Sequence, residues 1–221
     1  MGPVIEALLF DFDGLLVDTE TPEHRAWEEA FRDHGVELAL EHWSQGIGTL
    51  DGFEPAAHLE ELLGRPVDRA VVLEQARRRE AELRAGAGLR PGVDAYLAEA
   101  RRLGLRTAIV SSSSRRWIDE NLALAGCDDD WSCVVCADGD ASRAKPRPTL
   151  YLEALDALGV SPENAIAFED SPNGIDAARA ARIFCVAVPN AVTAQLDLSH
   201  ADLVVGSLED LPLVELVARI D

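Results

Sequence analysis

The stretch "LLFDFDGLLVDTE", Leu8 to Glu20, ends an apolar run with two aspartates two positions apart, Asp11 and Asp13. Gly14 and a third acid, Asp18, follow at once. An apolar run closing on polar residues reads as a buried strand of a parallel sheet, covered on both faces. Alternate residues of a strand share a face, so the two carboxylates look into one place. Like charges held that close repel, and each is costly to desolvate unless a positive group sits between them. Taken alone, such a pair also suits a turn or a cap.

The same grammar recurs along the chain. Apolar runs at 4–10, 106–111, 132–137, 164–168 and 183–188 alternate with helical stretches, and three of them end in polar clusters, "DFD", "SSSS" and "EDS". Strands alternating with helices indicate βαβ units, and in such sheets ligands bind beyond the carboxyl ends of the strands. "PGVDAYLAEARRLG" opens on Pro91, carries an apolar stripe at Val93, Leu97 and Ala100 and stops at Gly104, as a capped helix does. One region breaks the alternation. Between the first strand and "RTAIVS" the chain offers only helical segments, among them "PEHRAWEEAFRDHG", "PAAHLEELLG" and "DRAVVLEQARRREAELRAG". The expected organisation is an α/β, Rossmann-like parallel-sheet core from residues 1–18 and 89–221, with residues 19–88 inserted as an all-helical domain.

Composition narrows the partners. The 221 residues are 48% hydrophobic and 27% charged, which is globular and leaves room for a real core. The formal net charge of -20 excludes nucleic acid and anionic membrane surfaces as partners, because phosphate arrays need Lys and Arg. A single small phosphate in a local pocket remains compatible with it. No apolar run reaches the roughly 18 residues of a membrane span. "MGPVIEALLF" has no basic stretch ahead of its apolar run, and Glu6 stands where a myristoylation motif wants Ser or Thr. A cytoplasmic protein is expected. "CVVC", Cys133 to Cys136, has metal-ligand spacing, yet on a strand the two thiols point to opposite faces and no second pair completes a zinc set. Buried structural thiols are expected.

Four pieces carry the chemistry. Asp11 and Asp13 offer hard oxygen ligands suited to Mg²⁺. Ser111, opening "SSSS", sits at a strand-to-helix junction where hydroxyls and backbone N–H groups cradle phosphate, although one of these serines is also expected to cap the next helix. Lys145, in "AKPRP", reads by itself as a loop lysine. Glu169 and Asp170 end another strand just before "SPNG", where acids can also serve as caps.

In their order, acid pair, serine, lysine, acid pair, these pieces resemble the haloacid dehalogenase superfamily of phosphohydrolases. The similarity runs nearly end to end, including "ENAIAFEDSPNGIDAARAA" and "ADLVVGSLEDL". It is greatest for the branch similar to β-phosphoglucomutase, in which a helical cap follows the first motif. The resemblance implies Asp11 as nucleophile forming an aspartyl-phosphate and Asp13 as general acid and base. It implies Lys145 as the group offsetting charge, and Ser111 with Ser112 as phosphate ligands. Mg²⁺ would be held by Asp11, the Asp13 carbonyl, Glu169 and Asp170. It further implies a small phosphorylated metabolite as substrate and a monomer whose cap covers its own site, with Asp18 and Thr19 at the hinge.

Dehalogenases of the superfamily lack the second aspartate, so Asp13 and "EDS" argue for phosphate chemistry. A sugar-phosphate mutase is the alternative to a phosphatase, but it needs a cap arginine for a second phosphate, and no Lys or Arg occurs from Glu37 to Leu63. His24, His42, Trp43 and Gln45 are cap candidates for substrate contact, with His42 and Trp43 equally suited to cap core or surface. Two departures from the family pattern stand out: Thr149 where an acid is common, and Arg182 where a glycine is common.

Overall fold

The computed structural model describes residues 4–50, 52–127 and 131–220. Six parallel strands form one sheet in the order β3-β2-β1-β4-β5-β6. They are β1 (Ala7–Phe10), β2 (Arg106–Ser111), β3 (Cys133–Cys136), β4 (Ala165–Glu169), β5 (Phe184–Ala187) and β6 (Leu203–Val204). The first five coincide with the apolar runs, β4 passing the end of its run by one residue, Glu169. The sixth is a two-residue edge strand, too short for hydrophobic patterning to mark.

β1 lies at the centre, and all four of its residues are buried. Its register sets Phe10 between Ile109 of β2 and Phe168 of β4, with the Phe10 and Phe168 rings stacked 4.8 Å apart. Asp11, one residue further, donates its backbone N–H to the Phe168 carbonyl. Side chains of alternate parity divide between two cores. Leu8, Phe10, Ile109 and Phe168 face α5 (Val93–Leu103), α6 (Arg115–Ala125) and α9 (Leu213–Ile220). Ala7, Leu9, Val110 and Ala167 face α7 (Thr149–Leu158) and α8 (Pro172–Ala180). A parallel sheet needs this cover on both faces.

Between β1 and α5 the chain builds a layer of four helices, α1 (Glu20–Asp33), α2 (Leu40–Trp43), α3 (Pro55–Leu63) and α4 (Arg69–Arg84). They pack around their own core of Trp27, Phe31, Trp43, Leu59 and Val72, which Val192 of the sheet domain joins. The segments leading out and back lie side by side: Val17 bridges Leu89, and Arg90 N–H donates to the Leu16 carbonyl. Asp18, one residue ahead of the Thr19 N-cap, accepts from Thr21 N–H in the first turn of α1.

The cysteine expectation needs a correction. Cys133 and Cys136 do face opposite cores, and both are free, but they are half-buried because β3 is an edge strand with one flank open. Arg182 takes φ of 63°, the left-handed conformation in which a glycine costs least, so the family's preference there has a backbone cause. Among the described residues no helix is long and apolar enough to cross a membrane.

Candidate active site

The carboxyl ends of β1, β2 and β4 meet at one point, and the polar clusters meet with them. Asp11 is 3% exposed, Ser111 1%, Lys145 0%, Glu169 0% and Asp170 1%. Lys145 stands in a loop, but its side chain is fully buried. It reaches from the segment after β3 to place Nζ 2.6 Å from Asp11 Oδ1 and 2.7 Å from Glu169 Oε1. Its peptide bond to Pro146 is cis. Thr149, where an acid is common, opens α7 and leaves that placement intact. Burial alone would lower the Lys145 pKa, but the charges of Asp11 and Glu169 outweigh it and hold the ammonium above its ordinary value.

The acids are crowded well beyond what one lysine matches. Burial pushes Asp11 up, against the attraction of Lys145. Burial and then the charge of Asp11 push Glu169 up to about 8, again against Lys145. Asp170 is held well above the carboxylate range by burial and by Asp11, Glu20 and Glu169. One ligand oxygen from each of Asp11, Glu169 and Asp170 lies within 4.8 Å of the others. Glu169 Oε2 is buried with no hydrogen-bond partner, while Oε1 accepts from Lys145 and the Tyr151 hydroxyl. An orphaned carboxylate oxygen among three converging acids fits a hard divalent cation.

Two glycines make the crowding possible. At Gly14, φ is 75°, and a Cβ would come 2.2 Å from Asp170 Oδ2. At Gly174 of α8 a Cβ would come 1.8 Å from Glu169 Oε2. Ser171 caps α8 by accepting from Gly174 N–H, so Glu169 and Asp170 are not spent as caps. Ser114 does the same for α6, leaving Ser111 to Ser113 to the site.

Asp13 stands apart from the three clustered acids. Its carboxylate accepts from Thr19 Oγ1 (3.0 Å), Ser113 Oγ (2.5 Å), Ser111 Oγ (3.3 Å) and Trp117 Nε1 (2.7 Å). Thr19, a hinge candidate by sequence, therefore touches a site residue directly. Ser112 is at the site, but its hydroxyl is already engaged: it donates to the Gly48 carbonyl of the cap and accepts from Lys145 N–H. With Asn173 Nδ2 donating to the Ile47 carbonyl, this pins the cap loop over the core.

Several participants escaped sequence reading. Tyr151 looks like one more core residue of its helix. Trp117 is hidden in an amphipathic segment. Asn190, which donates to Asp170 Oδ2 at 2.7 Å, follows β5 in "VPNAV", where a polar residue after a strand was a usable signal. Arg90 donates to the carbonyls of Gly14, Val188 and Pro189, tying the loops after β1 and β5 together. Of the cap candidates, His24 is buried edge-on to Trp43, and His42 stacks on His58 at an exposed position. Gln45 is exposed and bonds the Glu41 carbonyl. Trp43 lines a hollow bordered by Glu20, Glu23 and Glu80.

Asp11 and Asp13 open into a cavity of about 350 Å³, bounded on the core side by Ser111 to Ser113 and Trp117. The cap side supplies Glu20, Glu23, Glu80 and the Gly46 to Leu50 loop. It is of a size for a small molecule, with the Asp11 carboxylate and hydroxyl donors at one end.

A family model for haloacid dehalogenase-like hydrolases matches residues 5–182, and the chain belongs to that family. Over 99% of both chains it is 41% identical to YhcW of Bacillus subtilis (strain 168), a protein that carries a phosphatase name. It is 31% identical to validoxylamine A 7'-phosphate phosphatase of Streptomyces hygroscopicus subsp. limoneus, over 92% of this chain and 94% of the other. The crystal structure of CbbY from Rhodobacter sphaeroides in complex with phosphate superposes with a TM-score of 0.72 at 31% identity, covering 96% of this chain and 99% of that one. The chain is a phosphatase-type hydrolase of this family, with an acidic cluster that fits a metal.

Proposed function

We propose that the protein is a Mg²⁺-dependent phosphatase that hydrolyses a small phosphomonoester through an aspartyl-phosphate on Asp11. The observation that carries this reading is Lys145, fully buried and bonded at once to Asp11 and Glu169. It holds the Asp11 carboxylate fixed at the end of a cavity that also presents Ser111 and Asp13. Phosphoryl transfer asks mainly for positioning and charge neutralisation, and this site is built for both.

In this reading Asp11 Oδ attacks phosphorus while the bond to the leaving alcohol breaks, and Asp13 gives that oxygen its proton. Asp13 then takes a proton from water as the water attacks the acyl phosphate, releasing phosphate and restoring Asp11. Four donors on its carboxylate keep Asp13 aimed at the cavity. Ser111 and the backbone N–H of Ser112 bind phosphate oxygens. Asp11, Glu169, Asp170 and the Asp13 carbonyl would hold a magnesium ion, which when bound would supply positive charge for the phosphoryl oxygens. Residues 19–88 act as a cap over the core of residues 1–18 and 89–221, closing water out until substrate is bound.

A mutase needs a cation on the cap side to hold the second phosphate of a bisphosphate. The cap wall of this cavity presents Glu20, Glu23 and Glu80 instead, which favours hydrolysis. The test is phosphate release from a panel of phosphomonoesters with Mg²⁺ and with EDTA, for wild type and Asp11→Asn. Release that needs Mg²⁺ and is lost in Asp11→Asn is expected. Transfer of phosphate within a sugar, with little free phosphate, would overturn the hydrolase reading.

A further inference from the structure

Resting on the phosphatase reading, the cap wall speaks to what the phosphate is attached to. Glu20, Glu23 and Trp27 recur at spacings of three and four on one face of α1, and Leu73 and Glu80 face them from α4. The catalytic cavity adjoins a second compartment of about 270 Å³ lined by Trp27, Trp43, Phe53 and Leu73, and Glu20, Glu23 and Glu80 border both. A leaving group extending from Asp11 therefore passes the acids and then meets aromatic faces.

The acids are not equally matched. Glu80 sits 3.3 Å from Arg84, and Arg77 lies exposed at the rim of the second compartment. Glu20 and Glu23 have no hydrogen-bond or ion-pair partner among the described residues; only the more distant Arg84 attracts Glu23. They are half-buried beside Asp13, where an unpaired charge is unfavourable. A second and independent feature lies across the compartment. Trp43, 5% exposed, has an indole N–H with no partner. Two unmatched carboxylates, aromatic faces and one unmatched donor describe a ligand with a cation and a hydroxyl oxygen.

We propose that the leaving alcohol is a hydroxylated amine, an amino sugar or amino-polyol, whose ammonium is held by Glu20 and Glu23 over the Trp27 and Trp43 faces while a hydroxyl oxygen accepts from Trp43. Glu20, Glu23 and Trp43 are then the specificity residues. A second phosphate or a carboxylate on the leaving group is rejected by the same wall.

The experiment measures kcat/KM with Mg²⁺ for two matched pairs: glucosamine 6-phosphate against N-acetylglucosamine 6-phosphate, and 2-aminoethyl phosphate against ethyl phosphate. The amine of each pair is expected to be favoured by about 10- to 100-fold, the factor a charge-assisted hydrogen bond supplies. Glu20→Gln and Glu23→Gln should each bring the ratio towards one through KM, and Trp43→Phe should raise KM for the sugar pair more than for the aminoethyl pair. Turnover that needs Mg²⁺ and Asp11 but is blind to the amine would overturn this inference and leave the phosphatase standing. So would a preference that survives the Glu20→Gln, Glu23→Gln double variant. No turnover of any of the four esters would overturn both.

Discussion

Glu23→Gln should make the protein more stable at pH 8. Burial, together with the charges of Glu80 and Asp13, pushes the Glu23 carboxyl up to about 7 from an ordinary 4.5, with Arg84 pulling the other way. A carboxyl raised in the fold keeps its proton there between those two values while the unfolded chain has lost it. Stability from this group is therefore fully present below about pH 4.5 and is lost as pH rises towards 7. The full difference corresponds to about 3 kcal/mol. Because Glu23 keeps partial contact with solvent, about half of that, ~1.5 kcal/mol, is the reasonable figure at pH 8. Glutamine carries no charge at any pH and removes the loss. Relative to wild type, Glu23→Gln should gain about 1 kcal/mol between pH 5 and pH 8, or about 2–4 °C in Tm for a chain of this size. Thermal unfolding of both proteins in EDTA at the two pH values measures it. A difference that stays constant between pH 5 and pH 8 would refute the claim that Glu23 is held in an unfavourable place.

Gly174→Ala drives a methyl into Glu169 Oε2, so unfolding should show a loss of about 1–3 kcal/mol, and a Mg²⁺ titration should show weaker binding. Trp117→Phe keeps the ring that lies under Arg84 but removes the donor to Asp13, and kcat should fall by about tenfold with KM little changed. Arg182→Gly relieves a left-handed residue outside the site, and a gain of about 0.5–1 kcal/mol in thermal unfolding is expected with unaltered turnover.

The parts of the fold legible in sequence are those that hydrophobic burial writes as runs. β1, β2 and β4 are buried on both faces, so each carries an unbroken apolar stretch, 7–10, 108–110 and 165–168, whose carboxyl end is marked by the first polar residue. β6 is half-exposed and two residues long, and nothing in its composition sets it apart. The residues singled out at the site, Asp11, Asp13, Ser111, Lys145, Glu169 and Asp170, stand at strand ends or in a proline-flanked loop, where polar chemistry interrupts a pattern. Tyr151, Trp117 and Glu23 were illegible because each lies inside an amphipathic helix and satisfies its periodicity. Their roles come from where the helix is placed, a tertiary fact. Ser112 shows the converse: its position reads correctly, while the Gly48 carbonyl that occupies its hydroxyl comes from 64 residues away in sequence.

The central claim is that Asp11 itself becomes phosphorylated. The most direct measurement is acid quench during turnover of an accepted phosphomonoester with Mg²⁺, followed by borohydride, which reduces an aspartyl-phosphate to homoserine. Trypsin first cleaves this chain at Arg25, so mass spectrometry reads residue 11 in one peptide. The account predicts homoserine at position 11, only when substrate is present, and more of it in Asp13→Asn, where the second step is slowed. Continued turnover with residue 11 never modified, or with the label on another residue, would contradict it.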